Sequence, residues 1–175
     1  VPIVSTDLVF RFSAPAASAG DATAGAPDTS LGKYVANNAI TTATLHNLFD
    51  KVTGAESAAG ESEYRCGFVL NNHATLTAVA ATIFDASETA GGATITVASD
   101  NIAASAKGSS SVQAAVVADE NTAPTGVSAF GSSATLGDIA PGQVKAFWVK
   151  RTVAPGTTAI AGDGVILEVD CDTLP

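Results

Sequence analysis

Leu136–Gly156 reads LGDIAPGQVKAFWVKRTVAPG, an apolar run that carries the chain's one tryptophan between two Pro-Gly pairs. In each pair the proline pre-sets φ and the glycine accepts the positive φ of a type II turn, so the chain reverses before Gln143 and again after Val153. Between the turns lies a long strand with apolar groups on both faces, Val144, Ala146 and Trp148 against Phe147, Val149 and Val153. Two-sided burial follows, and it requires either a covering layer on each side or one face covered by another subunit. Trp148 then reads as an organiser of the core. The other use of a tryptophan on a sandwich, a platform for sugars, needs an open face.

Working outward, Glu63–Asn71 (EYRCGFVLN) alternates, with Tyr64, Cys66, Phe68 and Leu70 on one face, and predicts a half-buried strand that points Cys66 inward. After a turn at Asn72-His73, Thr75–Asp85 continues as a second strand, making either a hairpin or a corner between sheets. Asp7–Phe12, Ala93–Ala98 and Asp163–Cys171 add further strands, the last with Val165, Leu167, Val169 and Cys171 on one face; residues 111–118 and 126–130 are weaker strand signals. Thr44–Val52 (TLHNLFDKV) predicts a short helix from the helical spacing of Leu45, Leu48, Phe49 and Val52, with Thr44 as N-cap and Gly54 as terminator.

These elements indicate an all-β fold, an antiparallel β-sandwich of immunoglobulin-like or related type with one short helix and an extended N-terminal arm. The arm is read from Ser13–Gly32, SAPAASAGDATAGAPDTSLG, where Leu31 is the single large apolar residue. Such a stretch buries too little surface to offset its ordering entropy. The expected division is therefore residues 1–32, an N-terminal strand and flexible arm, and residues 33–175, the sandwich. The arm is either a tether or a segment that orders across a neighbouring subunit.

A chain of 175 residues suffices for one domain with a real core. Hydrophobic residues make up 46% but aromatics only 6%, so the core rests on Val, Ile, Leu and the 7 Phe. The net charge of -9 and pI near 4.4 disfavour a nucleic-acid partner, since no cluster of Lys and Arg is present to displace counterions. No window approaches the ~20 apolar residues of a membrane span, and VPIVSTDLVF lacks the pattern of a secretory leader. Cys66 and Cys171 match no metal-ligand spacing; two buried reduced thiols are expected, and a bridge cannot be inferred.

Catalytic signals are weak throughout. His46 and His73 sit in no HxH or HExxH pattern and suit surface or local hydrogen-bonding roles. GxSxG, GxGxxG and the P-loop signature are missing. Asp119-Glu120 and Asp170 with Asp172 could gather oxygen ligands for calcium, but without EF-hand spacing a solvated acidic face is the plainer reading. Nothing selects a glycosidase pair among the 17 acids. No catalytic residue, cofactor or metal is expected. Lys145, Lys150 and Arg151 form the one positive concentration in an acidic chain and are expected to meet an acidic neighbour. Phe10, Arg11 and Phe12 of the N-terminal strand join them as candidate interaction residues.

Two blocks, NLFDKVTGAESAAGESEYRCGFVLNNHATLT and LGDIAPGQVKAFWVKRTVAPGT, resemble segments of small virion structural proteins of tailed bacteriophages. The likeness lies in the order of an NLFD segment, a Glu-Tyr-Arg-Cys strand, and a Pro-Gly turn into a Trp-Val-Lys-Arg-Thr-Val strand, and it covers about a third of the chain. What it implies is a non-enzymatic particle component, foremost a capsid decoration or cement protein that stabilises the shell of major capsid protein. By analogy such a protein trimerises, is assembled in the bacterial cytoplasm and resides in the virion. A tail, neck, baseplate or fibre-associated protein, or a carbohydrate-binding host-attachment module, is the alternative. The alanine-rich arm lies outside the shared blocks.

Overall fold

A computed structural model of the chain describes residues 2–15 and 18–174, with nothing said of the Leu174 side chain. Its elements run β1 (Leu8–Ala14), β2 (Gly32–Ala39), α1 (Gly54–Ala59), β3 (Glu61–Asn71), β4 (Thr77–Glu88), β5 (Thr94–Ser99), β6 (Ser105–Ala106), β7 (Ala114–Val116), β8 (Ser133–Ile139), β9 (Gln143–Val153) and β10 (Val165–Leu174). Two antiparallel sheets result. The larger is 7-stranded, ordered β5-β9-β3-β1-β2-β7 with β6 also on β9, and the smaller is 3-stranded, ordered β10-β4-β8.

Both Pro-Gly turns form where the sequence spells them. Gly142 and Gly156 take φ of 72° and 77°, and Gln143 N–H donates to the Ala140 carbonyl at 3.0 Å while Thr157 N–H donates to that of Ala154 at 3.1 Å. The β9 strand they delimit lies between β3 and β5. Phe147 and Val149 enter the core between the sheets, together with Ile83, Leu136 and Ile139. Val144, Ala146 and Trp148 enter a second core on the outer face, with Tyr64, Cys66, Phe68 and Leu70 of β3 and with Val35, Ala114 and Val117. That outer core is covered by this chain's own β2, β7 and the loops beside them, so no second subunit is needed to bury Trp148.

Close approach at the centre demands glycine twice. Gly67 pairs with Phe147 across the β3–β9 ladder, and a Cβ there would stand 2.5 Å from the Phe147 ring. Gly32 takes φ +96°, and a Cβ would stand 1.8 Å from the Ala115 carbonyl oxygen and 3.2 Å from Trp148. Both cores use that economy of volume.

The β3–β4 connection is a corner between sheets. Buried Asn71 donates to the Leu76 and Ile139 carbonyls at 2.8 Å each, and His73 Nδ1 accepts from Thr75 N–H at 3.1 Å and Leu76 N–H at 2.9 Å. His73 is thereby a local turn-former.

Several expectations are corrected. β3 is buried on both faces over Glu63–Asn71, because its second face, expected to be open, holds Glu63, Arg65, Gly67 and Val69 against the inter-sheet core. The helix lies at Gly54–Ala59 rather than Thr44–Val52. Thr53 and Glu56 form a reciprocal capping box, Thr53 N–H donating to Glu56 Oε2 at 2.6 Å and Glu56 N–H to Thr53 Oγ1 at 3.3 Å. Residues 44–52 take turns instead, with Ala43 and His46 at positive φ of 54° and 57°; Leu48 is buried in the core while Leu45 is 75% exposed. Residues 126–130 provide only the isolated bridge of Val127 with Asp100. Cys171 is half-buried and unpaired, as Cys66 is buried and unpaired.

Within Ser13–Gly32, Ala16 and Ala17 lie outside the described residues. The remainder runs beside β2: Asp21 N–H donates to the Val35 carbonyl at 2.8 Å and Asn37 N–H to that of Thr23 at 2.9 Å. A Cβ on Gly25 would come within 2.8 Å of Ala36 Cβ. Small residues here permit close backbone approach, which replaces the missing apolar bulk. β1 itself lies inside the large sheet, between β3 and β2.

Candidate functional site

The candidate interaction residues separate into internal and surface groups. Lys145 of β9 is only 6% exposed, and its Nζ donates to the carbonyls of Asp100 at 2.5 Å and Ile102 at 2.6 Å. Burial lowers its pKa from the ordinary 10.5, with Asp100 opposing that shift. Arg151 is 8% exposed. Its Nε donates to Glu63 Oε2 at 2.5 Å and its Nη1 to the Asp50 carbonyl at 2.7 Å. Of the three residues expected to meet an acidic neighbour, these two are corrected to internal partners, because a strand buried on both faces has no outward side to offer them. Lys150 is half-buried, with no ion-pair partner among the described residues. Phe12 is buried, Phe10 packs edge-on against Phe147 with ring centroids 5.5 Å apart, and Arg11 donates to Asp21 Oδ1 at 2.5 Å. Asp21 also pairs with Lys107 at 3.1 Å, tying the alanine-rich stretch to β1.

Two polar devices escaped the sequence reading. The first is Asp100, a buried carboxylate that accepts from Trp148 Nε1 at 3.0 Å and Ala115 N–H at 2.7 Å through Oδ2, and from Ile102 N–H at 2.9 Å through Oδ1. It fixes the tryptophan and the covering loop together. The second joins Arg65 and Arg151 to Glu63, Glu120 and Asp50 at one end of β3 and β9. Arg65 is fully buried and pairs with Glu120. Phe49 lies under both guanidiniums, at 5.5 Å from that of Arg65 and 4.8 Å from that of Arg151. Burial raises the Glu63 pKa above the ordinary 4.5, outweighing the attraction of Arg151. Carboxylate oxygens of Asp50, Glu63 and Glu120 lie within 4.8 Å of one another, but the two guanidiniums already neutralise most of their charge. A cation would have to displace them, so this is an internal ion-pair network. The strand periodicity of Glu63, Arg65 and Arg151 on one face was the available signal.

The remaining acids divide likewise. Asp119 caps its own turn, accepting from Thr122 Oγ1 at 2.7 Å. Glu168, Asp170 and Asp172 alternate along the exposed face of β10.

β10 forms one end of the smaller sheet. It pairs with β4, and among the described residues no strand pairs with its other side. Its inward row, Val165, Leu167, Val169 and Cys171, packs on the inter-sheet core yet stays only half-buried, and Ile166 on the outward face is 57% exposed. Two cavities, of about 730 and about 380 Å³, meet at Phe10 of β1 and Leu167 of β10; the larger is walled mainly by residues 40–54 and 157–164, the smaller by Ser5, Leu8, Val69, Glu168 and Val169. The arrangement offers apolar contact and free backbone donors and acceptors, which suits an extended polypeptide. Comparison of the chain with protein-family models, with curated proteins and with solved structures gives no match.

Proposed function

We propose that this protein is a non-enzymatic structural subunit of a tailed-phage particle, foremost a decoration or cement protein on the capsid shell. One observation carries the assembly reading: the half-covered apolar row of β10 beside a groove. Exposed apolar rows of this kind mark contacts with other chains. The two sequence blocks that resemble virion proteins supply the context. Trp148, fully buried with its N–H held by Asp100, is unsuited to a sugar platform, which weighs against the host-attachment alternative.

Repeated on a symmetric shell, weak contacts sum to strong retention because each further one is effectively intramolecular. The test is quantitative mass spectrometry of purified virions. A copy number that tracks the major capsid protein is the expected result. A count matching a single ring would reassign the protein to tail or neck, and its absence from virions would overturn the proposal.

A further inference from the structure

We infer that β10 is a docking edge for one added strand, supplied by a partner polypeptide whose extended segment alternates apolar residues with Lys or Arg. The inference deepens the assembly reading and rests on it only in requiring a partner chain. The layers themselves suggest the site. A 7-stranded sheet faces a 3-stranded one, and the deficit falls on the β10 side, where the cavities flanked by Phe10 and Leu167 run. A strand laid beside β10 would extend the smaller sheet over that gap. Its inward side chains would enter the groove, and its backbone would pair with the free edge of β10.

Register and charge narrow the occupant. Val165 and Ile166 pair with Glu88 and Ser87 of β4, Leu167 to Asp170 pair in step with Asp85, Phe84, Ile83 and Thr82, and irregularities between Ile166 and Leu167 and between Asp170 and Asp172 bound that regular stretch. The pairable edge is therefore centred on Leu167–Asp170. Its inward residues are Leu167 and Val169, and its outward residues are Glu168 and Asp170. An incoming strand thus meets an apolar row on one face and carboxylates on the other. A second copy of β10 fits badly, since antiparallel pairing about Val169 sets Glu168 opposite Asp170, a like-charge pair. A basic strand turns both into opposite-charge pairs, and the net charge of -9 steers it toward the protein.

The test uses the full chain with fluorescent peptides that alternate Val and Lys, alternate Val and Glu, or scramble the Val/Lys composition. The Val/Lys peptide is expected to bind best, to weaken with added salt, and to slow hydrogen exchange at amides of Val165–Asp170. The double reversal Glu168→Lys with Asp170→Lys, both exposed, is expected to weaken that peptide about tenfold and favour the Val/Glu peptide. Binding without protection of β10, indifference to the reversal, no preference over the scrambled peptide, or occupation of β10 by a second copy of the chain would each overturn the inference. Virions separate this from the broader reading. If the reversed variant is incorporated at full copy number, strand addition fails while the assembly role stands; if the parent chain is absent from virions, the assembly role fails whatever the peptides do.

Discussion

β9 and β10 are both long strands rich in apolar residues, yet one is buried along most of its length and the other is half open. β9 has neighbours on both sides and a core on each face. β10 has one neighbour, one packed face and an outward face of carboxylates. The lesson is that an apolar pattern states which side chains prefer burial, while the number of layers decides how far they get it. β9 also uses two of its own cations, Lys145 and Arg151, as internal donors. β10 leaves its charges in solvent.

The widest gap between the strands should appear on truncation. Trp148→Ala is expected to cost about 3–5 kcal/mol, since it empties a closed site and leaves the Asp100 carboxylate without its indole donor. Val169→Ala on β10 should cost under about 1.5 kcal/mol, because its site is open on one side. Equal losses in denaturant unfolding would break the comparison.

A second substitution probes how tightly β9 and β3 are fitted. Gly67→Ala places a Cβ against the Phe147 ring and is expected to destabilise by about 1–3 kcal/mol. Phe147→Leu in the same chain should recover part of that loss, and strictly additive costs in the double-mutant cycle would dismiss the steric explanation.

The ion-pair network at the end of these strands should show itself in pH dependence. Because Glu63 has a raised pKa in the folded protein, the native state holds its proton more tightly than the unfolded chain does. That contribution is fully present below pH 4.5 and is lost as pH rises through the folded value. Glu88 titrates in the same direction, so the informative quantity is the difference between parent and Glu63→Gln. The variant should show a shallower decline of unfolding midpoint just above pH 4.5; an unchanged slope would remove Glu63 from the account. The smallest effect is expected from Thr53→Ala, about 0.5–1 kcal/mol from loss of the cap on α1. A comparable loss from Thr44→Ala would restore the helix to residues 44–52.

Local signals that need few neighbours were legible. The Pro-Gly turns placed both ends of β9, and the alternation of Tyr64, Cys66, Phe68 and Leu70 placed one whole face of β3. Signals that depend on a distant partner were not. Gly32–Ala39 joins the sheet although its Asn37 and Asn38 break any apolar pattern, because β1 on one side and β7 on the other complete its hydrogen bonds. The helix was misplaced because Leu45, Leu48, Phe49 and Val52 have helical spacing, whereas the T-x-x-E cap at Thr53–Glu56 marks the actual start. On β10, the alternation of Val165, Leu167, Val169 and Cys171 was visible, but their incomplete cover was not. The basic trio was visible too, and the internal use of Lys145 and Arg151 depended on Glu63 and on the carbonyls of Asp100 and Ile102.

By itself the sequence determined an antiparallel β protein with a two-sided central strand and an acidic exterior, because turn chemistry, side-chain alternation and charge are properties of neighbouring residues. Only the tertiary structure decided which faces are closed, which cations are consumed and which edge stays open. Those outcomes depend on how many strands each sheet contains and where the loops lie, and no short stretch of chain encodes either.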